Sequence, residues 1–138
     1  MRPVLVDSNV ILDLFTNDPR WAGWSQSTLD THARDHDLCI NPVIYAEVSI
    51  GFDRIEDLEN AVNGCGFRMV DIPREALFLA GKAFRKYKRR SGVKTSTLPD
   101  FFIGAHAAVT GMDLITRDGS RYGSYFPSVR IIAPAKTG

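Results

Sequence analysis

The feature that most constrains this chain is a short, wholly apolar segment near its start that stops at an acid. Val4, Leu5 and Val6 are strand-forming residues without polar alternation, and Asp7 follows them directly. A strand of this kind is buried on both faces, as in the centre of a parallel sheet, and such sheets bind ligands beyond the carboxyl ends of their strands. Asp7 is predicted to occupy such an end. An aspartate there can also simply cap the next helix, so its role depends on whether other acids converge on it.

Short apolar runs and helical periodicities alternate along the rest of the chain. Ser8 and Asn9 offer cap oxygens for a first amphipathic helix that reaches Phe15. Five further helices are predicted over residues 21–35, 42 to about 52, 53–64, 73 to about 90 and 99–110, and four further strands over residues 38–40, 67–70, 112–116 and 129–132. This alternation predicts an α/β fold, a single domain over residues 1–138 with a central parallel sheet of four to five strands flanked by helices. Residues from about 135 to 138 are expected to form a frayed tail.

Composition describes an ordinary globular chain without a global charge bias. The 138 residues are 44% hydrophobic and 24% charged, and the formal net charge is +1, so any charge that binds a partner has to be local. No apolar run approaches the roughly 18 residues that span a bilayer, and the start lacks a cleavable leader pattern, so a cytoplasmic protein without membrane association is expected. Cys39 and Cys65 lack metal-ligand spacing and are predicted to be buried free thiols in preference to a disulfide.

The second notable acid lies inside a predicted helix. Glu47 has Val43 and Ile44 one turn before it, on what is predicted to be the apolar stripe. A carboxylate in that position is costly unless it is paired, hydrogen-bonded or bound to a cation. Glu47 is therefore a candidate ligand, with an undetected arginine or tyrosine partner as the alternative. Asp53 and Glu56, in contrast, match a capping box and have a structural explanation.

Two later acids extend the pattern. Asp100 stands in the first turn of the helix over residues 99–110, and it heads a face of small and apolar residues that can lie tightly on a sheet. Asp118 follows a short apolar strand and Thr116. Taken singly, each has a structural alternative, because first-turn aspartates favour the helix dipole and Asp118-Gly119 can form a turn.

Other polar clusters are ambiguous from the sequence. A strongly basic run ends the helix that starts near residue 73, where it either binds phosphate or a partner or is only a solvated helix end that favours the dipole. His32 and His36 stand four residues apart and could chelate a metal, but no acidic or cysteine partner is fixed nearby, so a solvated surface is favoured.

The four acids together point to a function that none of them indicates alone. Crossover packing can bring Asp7, Glu47, Asp100 and Asp118 to one end of the sheet. Four carboxylates in one pocket would repel strongly unless cations neutralised them, and oxygen ligands with open water positions suit Mg²⁺ or Mn²⁺. Such a site would bind phosphate oxygens and activate a water for phosphodiester cleavage, with one or two ions.

These residues also carry a family resemblance. The segments that carry it are Asp7-Ser8-Asn9, Glu47 in its helix, PDFFIGAHA at 99–107, LITRD at 114–118 and YFPSVRIIAP at 125–134. Together they resemble the PIN-domain ribonucleases, and most closely the VapC-type toxins of bacterial toxin-antitoxin pairs. The resemblance covers nearly the whole chain, and its strength is the ordered match of four acids in the expected contexts.

The resemblance implies a PIN fold and a Mg²⁺- or Mn²⁺-dependent endoribonuclease that acts as a toxin. It implies that Asp7, Glu47, Asp100 and Asp118 form the catalytic and metal-binding set, supported by hydrogen bonds from Ser8 or Asn9 and from Thr116. It further implies an RNA substrate, a homodimer and inhibition by a small cognate antitoxin protein.

Three other interpretations compete with this one. An aspartyl-phosphate phosphatase also starts with a strand ending in aspartate, but it needs a second acid where this chain has Asn9. A phospho-receiver module needs an acid pair after the first strand and a lysine after a late strand, and this chain has Ser8 and Arg117 there. A catalytically inactive PIN-like module that binds RNA or acts as a scaffold remains compatible with the sequence.

Partner surfaces are predicted from two kinds of residue. Trp21 and Trp24 are predicted to be an exposed pair that contributes to the homodimer, because aromatic residues are typical of interface cores. Four carboxylates repel a polyanion, so RNA binding requires cations at their rim. The candidate RNA-binding cations are Arg85, Lys86, Lys88, Arg89, Arg90, Lys94, Arg117 and Arg121.

Overall fold

A five-stranded parallel sheet organises the fold, with the first apolar segment at its centre. The computed structural model describes residues 2–90 and 97–135. In chain order the strands are β1 (Arg2–Val6), β2 (His36–Ile40), β3 (Arg68–Met69), β4 (Asp113–Ile115) and β5 (Ile131–Ile132). They lie in the order β3-β2-β1-β4-β5, and every neighbouring pair is parallel. The predicted α/β class and the parallel sheet of four to five strands are confirmed, and β3 is at an edge.

Helices connect these strands. The part of the chain that the structure describes contains α1 (Ser8–Phe15), α2 (Ala22–Ala33), α3 (Pro42–Ser49), α4 (Ile55–Gly64), α5 (Arg74–Arg90), α6 (Leu98–Thr110) and α7 (Ser120–Gly123). Six of them correspond to predicted helices with small shifts at their ends, and α3 ends three residues earlier than predicted. The four-residue α7 was not predicted. None of these helices, within the described ranges, is long and apolar enough to cross a membrane.

The burial of β1 explains its central position. Val4, Leu5 and Val6 have no exposed surface, and β2 pairs with one edge of the strand and β4 with the other. The backbone N–H of Asp7 continues the ladder by donating to the carbonyl oxygen of Ile115 at 2.9 Å. The end of β1 is thereby held beside the end of β4, and both strands deliver the residues that follow them to one edge of the sheet.

The start of α1 differs from the prediction. The N-cap is Asp7, whose carboxylate accepts a hydrogen bond from the backbone N–H of Ser8, and it is not Ser8 or Asn9. The side chains of Ser8 and Asn9 instead contact residues of other elements. Capping and site formation are therefore not alternatives for Asp7, because one oxygen caps the helix and the other is free to contact groups across the sheet edge.

The start of α4 and the second cysteine were also predicted wrongly. Arg54 is the N-cap of α4 and provides no side-chain cap, so the capping box between Asp53 and Glu56 does not form. Glu56 instead accepts from Arg54 Nε at 3.4 Å. Cys65 is exposed at the end of this helix, whereas it was predicted to be buried.

Strand β2 begins earlier than predicted because its pairing with β1 extends further. His36 and Asp37 already lie opposite Arg2 and Pro3, so the strand starts at His36 and α2 ends at Ala33. Cys39 in this strand is buried and has a free thiol, as predicted.

One buried contact connects α3 with α6. Asn41, the N-cap of α3, accepts from the backbone N–H of Ile44 at 2.9 Å, and its Nδ2 lies 3.1 Å from Nδ1 of His106 on α6. Burial lowers the pKa of His106, so its imidazole is neutral and Nδ1 can accept from the Asn41 amide. This contact holds together the two helices that carry Glu47 and Asp100.

Gly104 allows α6 to lie close to the segment after α7. A Cβ built on Gly104 would collide with the buried ring of Phe126, whereas one on Gly81 of α5 would meet no atom within 4 Å. We expect Gly104→Ala to lower the free energy of unfolding by about 2 kcal/mol, because a packed core resists an added methyl group. Gly81→Ala should raise it by roughly 0.5–1 kcal/mol through helix propensity. Urea unfolding of both variants measures the difference, and equal midpoints would contradict the tight packing at Gly104.

Candidate functional site

Asp7 is held at the carboxyl end of β1 by three short hydrogen bonds. Its Oδ1 accepts from the backbone N–H of Ser8 at 2.7 Å. Its Oδ2 accepts from the hydroxyl of Thr116 at 2.8 Å and from the hydroxyl of Tyr122 at 2.7 Å. Only 4% of Asp7 is exposed, so these donors replace most of the water that a free carboxylate would bind.

Glu47 reaches the same edge from α3. Its Oε1 accepts from the Ser8 hydroxyl at 2.9 Å, and that hydroxyl also lies 3.4 Å from Asp7 Oδ1. Glu47 is half-buried, and Ile50, three residues further along the chain, is exposed. Its hydrogen-bond partner among the described residues is therefore a serine hydroxyl, and no arginine or tyrosine in that part of the chain donates to it.

Asp100 comes from the first turn of α6. Its Oδ2 accepts from the backbone N–H of Thr97 at 3.1 Å, which closes the start of the helix. The guanidinium of Arg121 lies 3.8 Å from the same oxygen. The predicted tight face is present as well, because Ile103, Gly104 and Ala107 are buried.

Asp118 follows β4 and is tied to the other acids by polar side chains. Its Oδ2 accepts from Asn9 Nδ2 at 3.3 Å and lies 3.7 Å from Nη2 of Arg121. Its backbone N–H donates to the Thr116 hydroxyl at 3.1 Å, the same hydroxyl that donates to Asp7. The structure thus brings the four acids and the three predicted supporting residues to one edge of the sheet.

Burial dominates the electrostatics of this cluster. The pKa of Asp7 is raised mainly by burial and further by the charge of Asp100, although its hydrogen bonds oppose the shift. The pKa of Glu47 is raised mainly by burial and further by the charges of Asp7 and Asp100, with Arg121 acting in the opposite direction. Burial and the neighbouring Asp7 also raise the pKa of Tyr122, so its hydroxyl stays protonated and donates.

The donor set fits a hard divalent cation in its chemistry. All four acids offer oxygen, and two of them have raised pKa values that a cation would relieve. As the described side chains stand, however, no three His, Cys, Asp or Glu residues are close enough together to hold one metal ion. Among the described residues, the guanidinium of Arg121 provides positive charge near Asp100 and Asp118. His32 and His36 contact Thr28 O and Asp35 respectively, and both are half-buried, so they are less exposed than the predicted solvated surface.

The candidate RNA-binding cations separate into distinct places. Four of them line a groove of about 560 Å³ between α5 and the segment after α7: Arg85, Lys86, Arg89 and Arg90. Lys88 lies over the ring of Phe84, with Nζ 5.9 Å from the centroid. Lys94 lies outside the described residues. Arg121 contacts the acids, and Arg117 has a different partner.

Arg117 pairs with an acid that the sequence did not single out. Its Nε lies 2.9 Å from Asp13 Oδ2, and its Nη2 donates to Asp13 Oδ1 at 3.2 Å. The Asp13 side chain is only 5% exposed and that of Arg117 is 29% exposed. The guanidinium carbon also lies 5.5 Å from the ring centroid of Trp21. Arg117 therefore joins α1 to the end of β4.

The two tryptophans are not the exposed pair that was predicted. Trp21 is half-buried, and its ring is within cation–π distance of Arg20 and Arg117. Trp24 is also half-buried and packs against the hydrophobic core. Much of their surface is used within the domain, so they no longer support the predicted interface.

Sequence reasoning missed Tyr122 and Asp13. Asp13 stands four residues after Asn9, so both lie on one face of α1, and this spacing was an available signal. Tyr122 had no comparable signal, since α7 is too short to show a periodicity and its contact with Asp7 spans 115 positions.

The fold and the site together define an α/β protein with an acidic cluster beyond the carboxyl ends of parallel strands. The chain belongs to the PIN domain family, whose model matches residues 4–121. Nuclease activity and the use of divalent metal ions are general in this family. Comparison with curated protein sequences gave no significant match.

Solved structures share the fold at low sequence identity. VapBC2 from Rickettsia felis bound to a promoter DNA fragment is 15% identical, with a TM-score of 0.72 over 94% of this chain and 97% of that one. A toxin-antitoxin complex from Klebsiella pneumoniae is 21% identical, with a TM-score of 0.70 over 96% and 98%. DNA-bound VapBC from Salmonella typhimurium is 20% identical, with a TM-score of 0.70 over 96% and 98%.

Proposed function

We propose that this chain is a Mg²⁺- or Mn²⁺-dependent endoribonuclease that acts as the toxin of a toxin-antitoxin pair. The observation that carries the proposal is the convergence of Asp7, Glu47, Asp100 and Asp118 at one edge of the sheet, linked through Ser8, Asn9, Thr116 and Arg121. The proposal is supported by the membership of the chain in the PIN domain family and by the fold that it shares with a toxin-antitoxin complex and with VapBC2.

In this proposal the four acids hold the metal and the polar residues hold the acids. A bound divalent ion lowers the pKa of a water ligand and neutralises charge on the phosphodiester. Ser8 fixes Glu47 relative to Asp7, and Thr116 fixes Asp7 relative to the start of the segment that carries Asp118. Arg121 compensates the acids in the metal-free protein, and its partly exposed side chain can turn towards an RNA phosphate.

Cleavage of RNA in the presence of metal is the direct test. The purified chain is incubated with total RNA in buffer containing Mg²⁺, Mn²⁺ or EDTA, and we expect fragments with either metal and intact RNA with EDTA. Binding of RNA without cleavage under every condition would instead support the catalytically inactive RNA-binding module.

The groove of Arg85, Lys86, Arg89 and Arg90 is proposed to bind the RNA backbone. We expect Arg85→Glu/Arg89→Glu to raise the apparent KM about tenfold or more, because two phosphate contacts are lost. The slope of log KM against log salt should also fall by about 1.4, because each of the two lost contacts with a single strand contributes roughly 0.7. Arg34→Glu/Arg74→Glu changes the net charge equally on other surfaces and is the control. Equal KM values in the two variants would mean that the groove does not bind RNA.

A cognate antitoxin and a cytoplasmic location belong to the same proposal. The shared fold with VapBC complexes supports a small protein partner, encoded with the toxin, that binds near the acidic cluster. Co-expression followed by affinity purification of the toxin tests whether such a complex forms and whether it blocks cleavage.

We also propose a homodimer, now based on exposed apolar residues other than the tryptophans. Ile50, Phe78 and Ile55 are 85%, 69% and 65% exposed, which is far more than a buried monomer core requires. Sedimentation at micromolar concentration should show a dimer, and Ile50→Glu or Phe78→Glu should shift it to a monomer, since interface cores exclude charge. Arg34→Glu at the exposed end of α2 should leave the dimer intact. A monomeric wild-type chain would remove the proposal.

A further inference from the structure

Tyr122 is a buried residue whose hydroxyl contacts the proposed metal ligand Asp7. It lies in α7, has no exposed surface, and its hydroxyl is 2.7 Å from Asp7 Oδ2. A carboxylate cannot donate, so Tyr122 donates and Asp7 accepts. The Thr116 hydroxyl is 2.8 Å from the same oxygen. Two hydroxyl donors therefore converge on one oxygen of Asp7.

The acceptor capacity of Asp7 is nearly used by these contacts. Each carboxylate oxygen offers about two lone-pair positions. Thr116 and Tyr122 fill both positions of Oδ2, whereas Oδ1 accepts one short bond from the backbone N–H of Ser8 and a long one of 3.4 Å from its hydroxyl. Oδ1 thus has capacity for one strong additional ligand, and it lies on the side of Glu47. Asp7 can offer a cation one oxygen and not two.

We propose that Tyr122 is a positioning residue that restricts Asp7 to single-oxygen ligation and thereby selects small divalent cations. This inference rests on the proposed metal site. Mg²⁺ takes six oxygens in a near-octahedral arrangement with single-oxygen carboxylates, whereas Ca²⁺ takes six to eight and commonly uses both oxygens of a carboxylate. Because hydroxyl donors saturate Oδ2, ligation of a cation by both oxygens of Asp7 is disfavoured, whereas ligation by Oδ1 alone is unaffected.

Tyr122→Phe removes one oxygen and keeps the buried ring. Isothermal titration with MgCl₂, MnCl₂ and CaCl₂ gives the dissociation constants directly, without reference to cleavage. We expect the affinity ratio of Ca²⁺ to Mg²⁺ to rise about tenfold or more in Tyr122→Phe, because Oδ2 becomes available to the larger ion. Tyr125→Phe is the matched control, since Tyr125 lies three residues further on and packs its ring against Tyr87 and Phe101. Its ratio should equal that of the wild type.

The outcomes separate this inference from the proposed function. A wild-type chain that binds none of the three ions would contradict the metal site itself. A wild-type chain that binds Mg²⁺, with an unchanged ion ratio in a folded Tyr122→Phe variant, would overturn only the role of Tyr122. A purely structural tyrosine would lower the thermal midpoint without changing the ratio.

A second measurement covers the case in which the variant does not fold. Infrared difference spectra of the wild-type chain with Mg²⁺ and with Ca²⁺ report the separation of the two carboxylate stretching bands, with Asp7→Asn as the blank for Asp7. A wide separation with both ions means that Asp7 uses one oxygen whichever ion is bound, as expected. A narrow separation with Ca²⁺, typical of two-oxygen ligation, would overturn the inference.

Discussion

Asp7→Asn is expected to abolish RNA cleavage while making the metal-free protein more stable. An amide is a poor ligand for Mg²⁺, so kcat/KM should fall by about 10³-fold or more, equivalent to roughly 4 kcal/mol. The pKa of Asp7 is raised above its ordinary value by burial, so the ionised carboxylate opposes folding above that pKa. The neutral amide removes this cost, and the free energy of unfolding in EDTA should rise at pH 7 and above.

This pair of effects distinguishes loss of a ligand from loss of the fold. RNA cleavage in MgCl₂ and urea unfolding in EDTA are measured on the same preparations. Asp53→Asn, an exposed acid outside the cluster, should change neither quantity. An Asp7→Asn chain that cleaves RNA at the wild-type rate would remove Asp7 from the proposed catalytic set. One that is inactive only because it is unfolded would contradict the expected gain in stability.

Arg117→Met is expected to lower the free energy of unfolding by about 3 kcal/mol. The substitution leaves the buried Asp13 without its guanidinium partner, and removing one member of a buried ion pair costs about 3–5 kcal/mol. The pKa of Asp13, already raised by burial, should rise further because the charge of Arg117 now lowers it. The decrease in the free energy of unfolding should therefore become smaller as the pH falls through the raised pKa of Asp13, since protonated Asp13 no longer needs a counter-charge.

A double variant tests the reason for that loss. Asp13→Leu/Arg117→Met removes both charges and should recover most of the stability, because an apolar pair can replace a buried ion pair. Arg54→Met breaks an exposed pair with Glu56 and should change stability by less than about 0.5 kcal/mol. If Arg117→Met is as stable as the wild type but binds RNA weakly, Arg117 is a surface contact for RNA and not a structural residue.

The order of the elements could be predicted because the sheet depends on patterns within short segments. The apolar run of β1 by itself indicates a strand that is buried on both faces. The geometry of parallel sheets alone predicts that acids which follow strands or begin helices lie at one edge of the sheet. Asp7 and Asp118 are the clear examples. The exact start of β2 depends on its pairing with β1, and the four-residue α7 is too short to show a periodicity, so local patterns predicted neither.

The contacts of single side chains were less accessible to sequence reasoning. Arg117 was grouped with RNA-binding cations because it adjoins an acid, but a buried Asp13 lies within its reach and takes its charge. Cys65 and the tryptophans were assigned from their residue types, whereas their exposure is set by how α2 and α4 lie on the domain. The hydrophobicity of a residue type predicts its burial only on average, whereas the packing of the elements determines how exposed each individual residue is.

The long separation between Asp7 and its hydroxyl partners has a consequence for the order of synthesis. Thr116 and Tyr122 follow Asp7 by 109 and 115 positions. At about 5–20 residues per second, a ribosome adds Tyr122 roughly 6–23 s after Asp7. For most of this interval β1 lacks β4 on one edge, and until residue 116 is added its terminal carboxylate lacks both hydroxyls. A nascent chain released before residue 116 therefore contains the first acid but cannot assemble the cluster around it.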